Sequence, residues 1–269
     1  MNLSVIVRAR DEATELERGL RMLATQTVPY EVIVVDSGSL DDTLLIAERA
    51  GARVVRIAAH EFTYGGALNG GCAEATGEIL VALSAHAHPA DGGWLARVST
   101  AFDDSRVACA SGDIYGPDAE RLDMQLLQDV ELARRRPEWG YSNAAGAFRA
   151  ELWRRRPFRT DLPASEDKEW ALHWLEQGYV CAVDPALVVE HDHTHDPVRS
   201  IYARARREWE AAADFHELPP YGPADLTRDW WSDLRWYHSA TRARLSHRRL
   251  ARLLGAYAGR RAGVRRRAG

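Results

Sequence analysis

The fold is indicated most directly by the stretch Gly77-Glu78-Ile79-Leu80-Val81-Ala82-Leu83-Ser84-Ala85-His86-Ala87-His88-Pro89. Its apolar residues 79–83 lie between a glycine and a proline, which is typical of a strand covered on both faces in a parallel sheet. Ser84, His86 and His88 follow at the carboxyl end of this strand, where open α/β sheets bind ligands. The stretch therefore predicts a buried strand that ends at a functional site. A solvated loop is the alternative for the two histidines, because exposed histidines are common.

Predicted strands and helices alternate on both sides of this stretch. Apolar runs predict strands at residues 3–7, 31–35, 53–57, 79–83, 107–111, 179–182 and 186–189. Helical periodicity predicts helices at residues 12–26, 41–50, 67–75, 94–102, 118–136, 165–177 and 198–215. Alternation of this kind indicates right-handed βαβ units and a parallel sheet, so the expected class is α/β.

Composition places the chain among ordinary globular proteins. Of its 269 residues, 46% are hydrophobic and 28% are charged. The three cysteines lie far apart without CxxC spacing, which argues against a disulfide framework or a thiolate zinc site and fits a reducing compartment. No apolar run approaches the roughly 18 residues of a membrane span, and the amino terminus shows no signal-peptide pattern. We therefore expect a cytoplasmic protein.

Charge is distributed unevenly along the chain. The net charge is −4, but ten arginines and no acids follow Thr241, so the preceding residues carry −14. A basic tail on an acidic body indicates an anionic partner, such as a membrane surface, nucleic acid or another subunit. The acidic body disfavours nucleic acid. We expect a peripheral contact with anionic lipid, and a solvated helix is the alternative.

A proline-rich linker at residues 219–223 suggests how the chain is divided. We predict a main domain at residues 1–216 and a C-terminal aromatic and basic helical extension at residues 217–269.

Polar clusters follow three of the predicted strands, at residues 8–12, 36–39 and 84–88. Parallel strands bring such clusters to one edge of the sheet. Asp36 is placed to accept hydrogen bonds from the base or sugar of a ligand, and Glu12 could do likewise. Helix capping is their alternative role. The patterns GxGxxG and GxxxxGK[ST] are both absent, which argues against dinucleotide and P-loop sites.

Two further clusters carry residues suited to chemistry. Glu166 and Asp167 are candidates for acid–base catalysis, although acids at a helix start are more often structural. The segment His191-Asp192-His193-Thr194-His195 contains imidazoles and a carboxylate, which can form a transition-metal site. Such spacing also occurs in loops that bind no metal.

Several short segments occur in a characteristic order. They are residues 4–7 with Asp11-Glu12, Val34-Val35-Asp36-Ser37-Gly38-Ser39-Leu40-Asp41-Asp42-Thr43, Tyr64-Gly65-Gly66-Ala67-Leu68-Asn69, Ala75-Thr76-Gly77-Glu78-Ile79-Leu80, Ser165-Glu166-Asp167-Lys168-Glu169-Trp170 and Pro185-Ala186-Leu187-Val188-Val189-Glu190-His191. Together they resemble the family 2 glycosyltransferases with the GT-A fold, especially the rhamnosyltransferase-like branch. The resemblance covers residues 2–178 and continues through His193.

This resemblance implies a Rossmann-like, mixed and mainly parallel sheet, a nucleotide-sugar donor and inverting transfer. Asp167 matches the acid proposed as the general base of this family, and Glu166 precedes it in the same motif. The implied donor-binding residues are Ala9, Arg10, Glu12, Asp36, Gly66, Asn69, Ser84, Ala85 and His86.

The chain departs from the family at one position. Ser84-Ala85-His86 stands where the family usually has Asp-x-Asp, which holds a divalent ion such as Mg²⁺ or Mn²⁺. Either His86 and His193 bind a softer ion such as Mn²⁺ or Zn²⁺, or imidazolium and arginine neutralise the diphosphate directly. A third interpretation is that catalysis is lost and the protein only binds its ligand.

We therefore predict an inverting, nucleotide-sugar-dependent glycosyltransferase with a weak or altered metal dependence. Its acceptor carries a hydroxyl, as in a lipid-linked glycan or a natural-product aglycone. One alternative is a catalytically silent nucleotide-sugar-binding or scaffold protein. A nucleotidyltransferase is a second alternative, disfavoured because the chain lacks a glycine-rich, basic amino-terminal loop.

Overall fold

The computed structural model of the chain describes residues 1–118, 120–191, 196–236 and 242–268. These residues group into two compact units. The first comprises the described residues of Met1–Asp161 and Glu166–Asp192, and the second comprises those of Leu162–Ser165 and His193–Gly269. The domain boundary expected between residues 216 and 217 stays a prediction.

The first unit is built on a mixed sheet. Its strands are β1 (Leu3–Ala9), β2 (Tyr30–Asp36), β3 (Arg53–Arg56), β4 (Ile79–Ser84), β5 (Ala87–Pro89), β6 (Val107–Ser111), β7 (Leu126–Gln128), β8 (Ala145–Arg149), β9 (Val180–Val183) and β10 (Val189–His191). Eight of them form one sheet in the order β3-β2-β1-β4-β8-β6-β9-β7, and β10 pairs with β5. Strands β1 to β4 run parallel, whereas β8 is antiparallel to both β4 and β6.

Helices accompany this sheet along the chain. They are α1 (Ala13–Leu23), α2 (Thr43–Arg49), α3 (Tyr64–Ala73), α4 (Trp94–Thr100), α5 (Val130–Arg135), α6 (Ala150–Arg155) and α7 (Glu166–Glu176). A short 3₁₀ helix covers Pro185–Leu187. The expected α/β class, with a mixed and mainly parallel sheet, is confirmed.

The central strands are buried because they are apolar on both faces. Val5, Ile6 and Val81 are completely inaccessible to solvent. Helices on the two faces of a parallel sheet produce this pattern, which is why strands β1, β2 and β4 read as continuous apolar runs. Polar residues follow the apolar residues at the carboxyl ends of these strands, and they form the candidate site.

The predicted helix at residues 118–136 is wrong. Leu126–Gln128 forms β7 and pairs with β9, and only Val130–Arg135 is helical. The Asp129 side chain accepts a hydrogen bond from the backbone N–H of Leu132 and so starts α5 after the strand. Pairing with a distant strand overrides the local helical periodicity here. Of the strand predicted at residues 186–189, the first two residues belong to the 3₁₀ helix, and β10 begins only at Val189.

The second unit contains α8 (Val198–Ala212), α9 (Pro223–Trp236) and α10 (Arg242–Ala268). Helices α8 and α10 pack closely because Gly255, Gly259 and Gly263 recur at four-residue intervals. A Cβ atom on Gly259 would lie 2.3 Å from the carbonyl oxygen of Arg206. None of the described helices is both long and apolar enough to cross a membrane.

Candidate active site at the carboxyl edge of the sheet

Two adjacent carboxylates begin helix α7. Asp167 is half-buried, and its Oδ2 and Oδ1 accept hydrogen bonds from the backbone N–H groups of Asn143 (3.1 Å) and Lys168 (2.7 Å). Glu166 is buried, and its Oε1 accepts a hydrogen bond from Nδ2 of Asn143 at 3.2 Å. Asn143 therefore holds both acids, and Tyr141 donates to its Oδ1 from the buried side at 2.7 Å. Both carboxylates are fixed before any ligand binds.

The pKa of Glu166 differs from that of an ordinary carboxylic acid. Burial raises the pKa of Glu166 to about 7, and the neighbouring charge of Asp167 acts in the same direction. The positive charge of Arg8 and the hydrogen bond from Asn143 oppose this shift. Near neutral pH a large share of Glu166 therefore carries a proton.

Arg8 links these acids to the sheet. It lies near the end of β1, in register with Ser84 of β4. Its Nη2 donates to the carbonyl oxygen of Asn143 at 3.1 Å, and its Nη1 lies 3.7 Å from Oε1 of Glu166. Nη1 is buried and has no hydrogen-bond partner among the described residues. The aromatic ring of Tyr64 lies 5.7 Å from the guanidinium carbon.

Ser84-Ala85-His86 continues from the end of β4. The backbone N–H of Ser84 donates to the carbonyl of Ala144, and that of Ala85 donates to the carbonyl of Arg8. His86 Nδ1 lies 2.5 Å from Oε1 of Glu12, and its ring stacks on that of His191 with centroids 4.8 Å apart. The structure thus brings together two of the predicted residues, Glu12 and His86.

The end of β2 lies beside the end of β1, because Asp36 is in register with Ala9. Both residues are buried, and Arg10 is exposed. The carboxylate of Asp36 accepts hydrogen bonds from the backbone N–H groups of Gly38 and Ser39, which shapes the loop after β2. A carboxylate has lone pairs for further donors. Donor contact by Asp36, Ala9 and Arg10 stays a prediction.

Two other predicted residues have clear structural roles. Asn69 Nδ2 donates to the carbonyl of Phe158, and its Oδ1 accepts from Trp153 Nε1 and the backbone N–H of Phe158. The backbone N–H of Gly66 donates to Oγ1 of Thr63, the N-cap of α3. These contacts hold α3 and the segment after α6 in place. Donor contact by Asn69 and Gly66 stays a prediction.

The described residues do not fit a site for a hard divalent ion. In the part of the chain that the structure describes, no three His, Cys, Asp or Glu side chains are grouped to hold a metal. Ser84 and His86 also lack the carboxylate oxygens that Mg²⁺ prefers. His193, the second predicted ligand, lies outside the described residues.

Sequence reasoning did not single out Arg8 or Asn143 as functional residues. Arg8 belongs to the polar cluster at residues 8–12, so its position at a strand end was the available signal. Asn143 carried no such signal. It reaches the site because β8 inserts between β4 and β6 in the antiparallel direction.

The sequence profile described as glycosyl transferase family 2 matches residues 4–163. The chain therefore belongs to glycosyl transferase family 2, as its motifs predicted. This match ends before Glu166 and Asp167, so it carries no information about the two acids. Comparison with curated proteins gives no match.

Solved structures show the same fold. One is a mannosyltransferase from Pyrobaculum calidifontis in complex with GDP-Man and Mn²⁺, 21% identical, with a TM-score of 0.68 over 97% of this chain and 86% of that one. Residues 1–349 of TarS from S. aureus are 16% identical, with a TM-score of 0.57 over 100% and 92%. Glucosyl-3-phosphoglycerate synthase from Mycobacterium tuberculosis, in complex with Mn²⁺, UDP and glucosyl-3-phosphoglycerate, is 22% identical, with a TM-score of 0.59 over 82% of each chain. The predicted GT-A fold is confirmed.

Proposed function

We propose that this family 2 glycosyltransferase moves a sugar from a nucleotide donor to an acceptor hydroxyl with inversion, and that Asp167 is its general base. The proposal rests mainly on Asn143, which links Asp167 to Arg8. Asn143 fixes the Asp167 carboxylate through its backbone N–H, and its carbonyl accepts from Arg8 at the strand ends. An acid held beside the carboxyl edge of a parallel sheet is suited to act on a ligand bound there.

The reaction needs one proton acceptor and one leaving group. An Asp167 oxygen accepts the proton of the acceptor hydroxyl as the hydroxyl oxygen attacks the anomeric carbon. A new C–O bond forms on the face opposite the donor diphosphate. The bond to the diphosphate breaks, and its electron pair leaves with the diphosphate. Attack from the opposite face inverts the anomeric configuration.

The donor is expected over the ends of β1, β2 and β4. Glu12, Asp36 and the Ser84–His86 segment lie at these ends, where the resemblance places donor contacts. Two of the similar structures contain GDP-Man or UDP, which supports a nucleotide-linked sugar as the donor class for this chain. No step of the proposed reaction is assigned to a metal ion, because the described donors do not fit one.

The substitution Asp167→Asn tests the base. It keeps the shape of the side chain but removes the proton acceptor, so turnover should fall by roughly 10²- to 10⁴-fold. Nucleotide affinity should stay within about twofold, because the proposed role of Asp167 is to contact the acceptor. Transfer would be measured by release of nucleoside diphosphate from a panel of nucleotide sugars with simple alcohol acceptors, and affinity by calorimetry.

Asp161→Asn is the matched control. The Asp161 side chain is 67% exposed and pairs with Arg159, so its loss should leave turnover near that of the wild type. Unchanged turnover in Asp167→Asn would refute the assignment of the base. Conversion of a donor to a product with retained configuration would refute the inverting mechanism.

A catalytically silent binding protein is the second candidate, favoured by the presence of Ser84-Ala85-His86 in place of Asp-x-Asp. The two candidates differ in one measurable property. An enzyme with weak or altered metal dependence transfers or hydrolyses its donor in EDTA, with at most a modest gain from added Mn²⁺. A silent protein binds the donor and leaves it intact under both conditions.

We also propose that the basic helix α10 contacts anionic lipid. Arg261 and Arg265 are exposed, and the exposed apolar side chains of Leu254 and Val264 accompany them on the same helix. Arginines beside exposed apolar residues are typical of helices that lie on a charged membrane surface. Such a contact would favour a lipid-linked acceptor.

A further inference from the structure

Arg8 combines a buried charge with an unused hydrogen-bond donor. Its side chain is 14% exposed, and Nη1 has no hydrogen-bond partner among the described residues. A buried donor without a partner costs free energy, more so when the group is charged. The arrangement therefore suggests that a ligand completes the hydrogen bonds of Arg8.

Glu166 does not fill this role. Its nearest oxygen lies 3.7 Å from Nη1, which is beyond a hydrogen bond. Burial also raises the pKa of Glu166, so this acid neutralises the guanidinium only in part at neutral pH. The carbonyl oxygen of Asn143 accepts a hydrogen bond from Nη2 of Arg8. Arg8 thus keeps both positive charge and donor capacity.

The position of Arg8 indicates which ligand group it would meet. Arg8 and Ser84 are register neighbours on adjacent parallel strands, so their side chains leave the same face of the sheet about 5 Å apart. In the family pattern, the segment that starts at Ser84 carries the acids that hold a metal ion against the donor diphosphate. In this chain it carries none. A cation is needed there because charge develops on the leaving diphosphate.

We infer that Arg8 binds the donor diphosphate directly and supplies the positive charge that a divalent ion otherwise would. This inference rests on the proposed function, since it assumes a nucleotide-linked donor. The planar guanidinium suits phosphate oxygens, which it can contact through two donors at once. In this role Arg8 stabilises the leaving group, while Asp167 activates the acceptor.

The experiment compares the affinities of UDP, GDP, dTDP and CDP with those of their nucleosides, all in EDTA. Wild-type protein should bind one of the diphosphates. Arg8→Gln should lower the affinity for that diphosphate by about ten- to a hundredfold, which is the effect expected when one charge-assisted hydrogen bond is lost. It should change the affinity for the nucleoside by less than about twofold. Arg8→Lys keeps the positive charge but not the planar guanidinium, so its affinity for the diphosphate should lie between those of the wild type and Arg8→Gln.

Two further variants make the result specific. Arg106→Gln removes an exposed arginine that pairs with Asp104 before β6, and its diphosphate affinity should match that of the wild type. Ser84→Asp leaves Arg8 in place but sets a carboxylate beside it. This variant should bind the diphosphate in EDTA about tenfold more weakly than the wild type. It provides a test even if the Arg8 variants fail to fold. Thermal unfolding identifies any variant that is not folded.

The outcomes separate the inference from the proposed function. Equal diphosphate affinity in Arg8→Gln and wild type would overturn the role of Arg8, as would an equal loss of nucleoside affinity. Diphosphate binding by the wild type only when Mn²⁺ is added would also overturn it and leave the proposed transferase standing. Absence of any diphosphate binding, with or without Mn²⁺, would overturn both.

Discussion

At the scale of residues, Glu166 and Asp167 show how two neighbouring acids acquire different properties. Glu166 faces the protein interior and Asp167 is half-buried, with two backbone N–H groups on its carboxylate. Burial favours the protonated form of a carboxyl group, and it raises the pKa of Glu166. A carboxyl group that holds its proton near neutral pH is poorly suited to act as a base, so the proposed base is Asp167 and not Glu166.

The raised pKa of Glu166 makes the stability of the fold depend on pH. The carboxyl changes from an ordinary pKa of 4.5 to about 7 on folding, so the folded state binds its proton more tightly than the unfolded state. The proton on Glu166 stabilises the folded state fully below pH 4.5, and this stabilisation is lost as the pH rises through 7. Glu166→Gln mimics the protonated acid and removes this loss.

Relative to wild type, the free energy of unfolding of Glu166→Gln should therefore rise by about 2 kcal/mol between pH 5 and pH 8. Urea unfolding at the two pH values measures this change. Glu17→Gln, on the exposed side of α1, controls for the loss of one carboxylate. A constant difference between Glu166→Gln and wild type across this range would show that Glu166 is not buried as described.

The residues of the site were predictable to different extents. Asp167 was predicted because it belongs to a motif that resembles that of the family, and Glu12 and His86 were predicted because they also follow apolar strands. Arg8 and Asn143 were not predicted to contribute. They meet through a contact between residues 135 positions apart in the sequence, between β1 and the segment before β8, and local patterns carry no information about such contacts.

At the scale of elements, the strands that run in the direction of β1, including β6 and β9, were predictable, and the antiparallel strands β7 and β8 were not. Strands β1, β2 and β4 are continuous apolar runs followed by helical periodicity, a pattern with a single simple interpretation. Residues 126–128 and 145–149 form strands through pairing with distant partners. Their local sequence also suits a helix or a loop, so the choice depends on tertiary contacts.

Helix α3 offers a test of how closely an element packs on this sheet. A Cβ atom on Gly71 would lie 2.4 Å from Ile6 Cγ2 and 2.8 Å from Val35 Cγ2, whereas one on Gly70 would meet nothing nearer than 3.7 Å. Gly71→Ala should therefore lower the free energy of unfolding by about 1–3 kcal/mol through overpacking. Gly70→Ala, the adjacent control, should raise it by about 0.5–1 kcal/mol, because alanine favours the helix.

Urea unfolding of both variants measures these differences. If Gly71→Ala were as stable as Gly70→Ala, α3 would not approach β1 and β2 as closely as described. Nucleotide affinity provides a second measurement, because α3 begins with Tyr64, whose ring faces Arg8. A displaced α3 should weaken diphosphate binding in Gly71→Ala and leave it unchanged in Gly70→Ala.

At the scale of the whole molecule, the charge asymmetry remains the main feature that the candidate active site does not use. Ten arginines follow Thr241, and the rest of the chain carries −14. The close glycine contacts between α8 and α10 leave one face of α10 outward, with Arg261 and Arg265 exposed on it. Because an anionic surface repels the acidic rest of the chain, the electrostatic attraction to such a surface should come from this helix.

Vesicle binding tests this contact. The protein should bind vesicles that contain phosphatidylserine more tightly than neutral vesicles, and the difference should shrink as salt is added, because salt screens exposed charges. Each arginine near such a surface contributes about 1 kcal/mol, so the double variant Arg261→Glu, Arg265→Glu should bind anionic vesicles at least about tenfold more weakly. Reversal of Arg49 and Arg154, two exposed arginines of the first unit, is the matched control. An equal loss in both double variants would mean that net charge alone governs binding, and salt-independent binding would contradict an electrostatic contact.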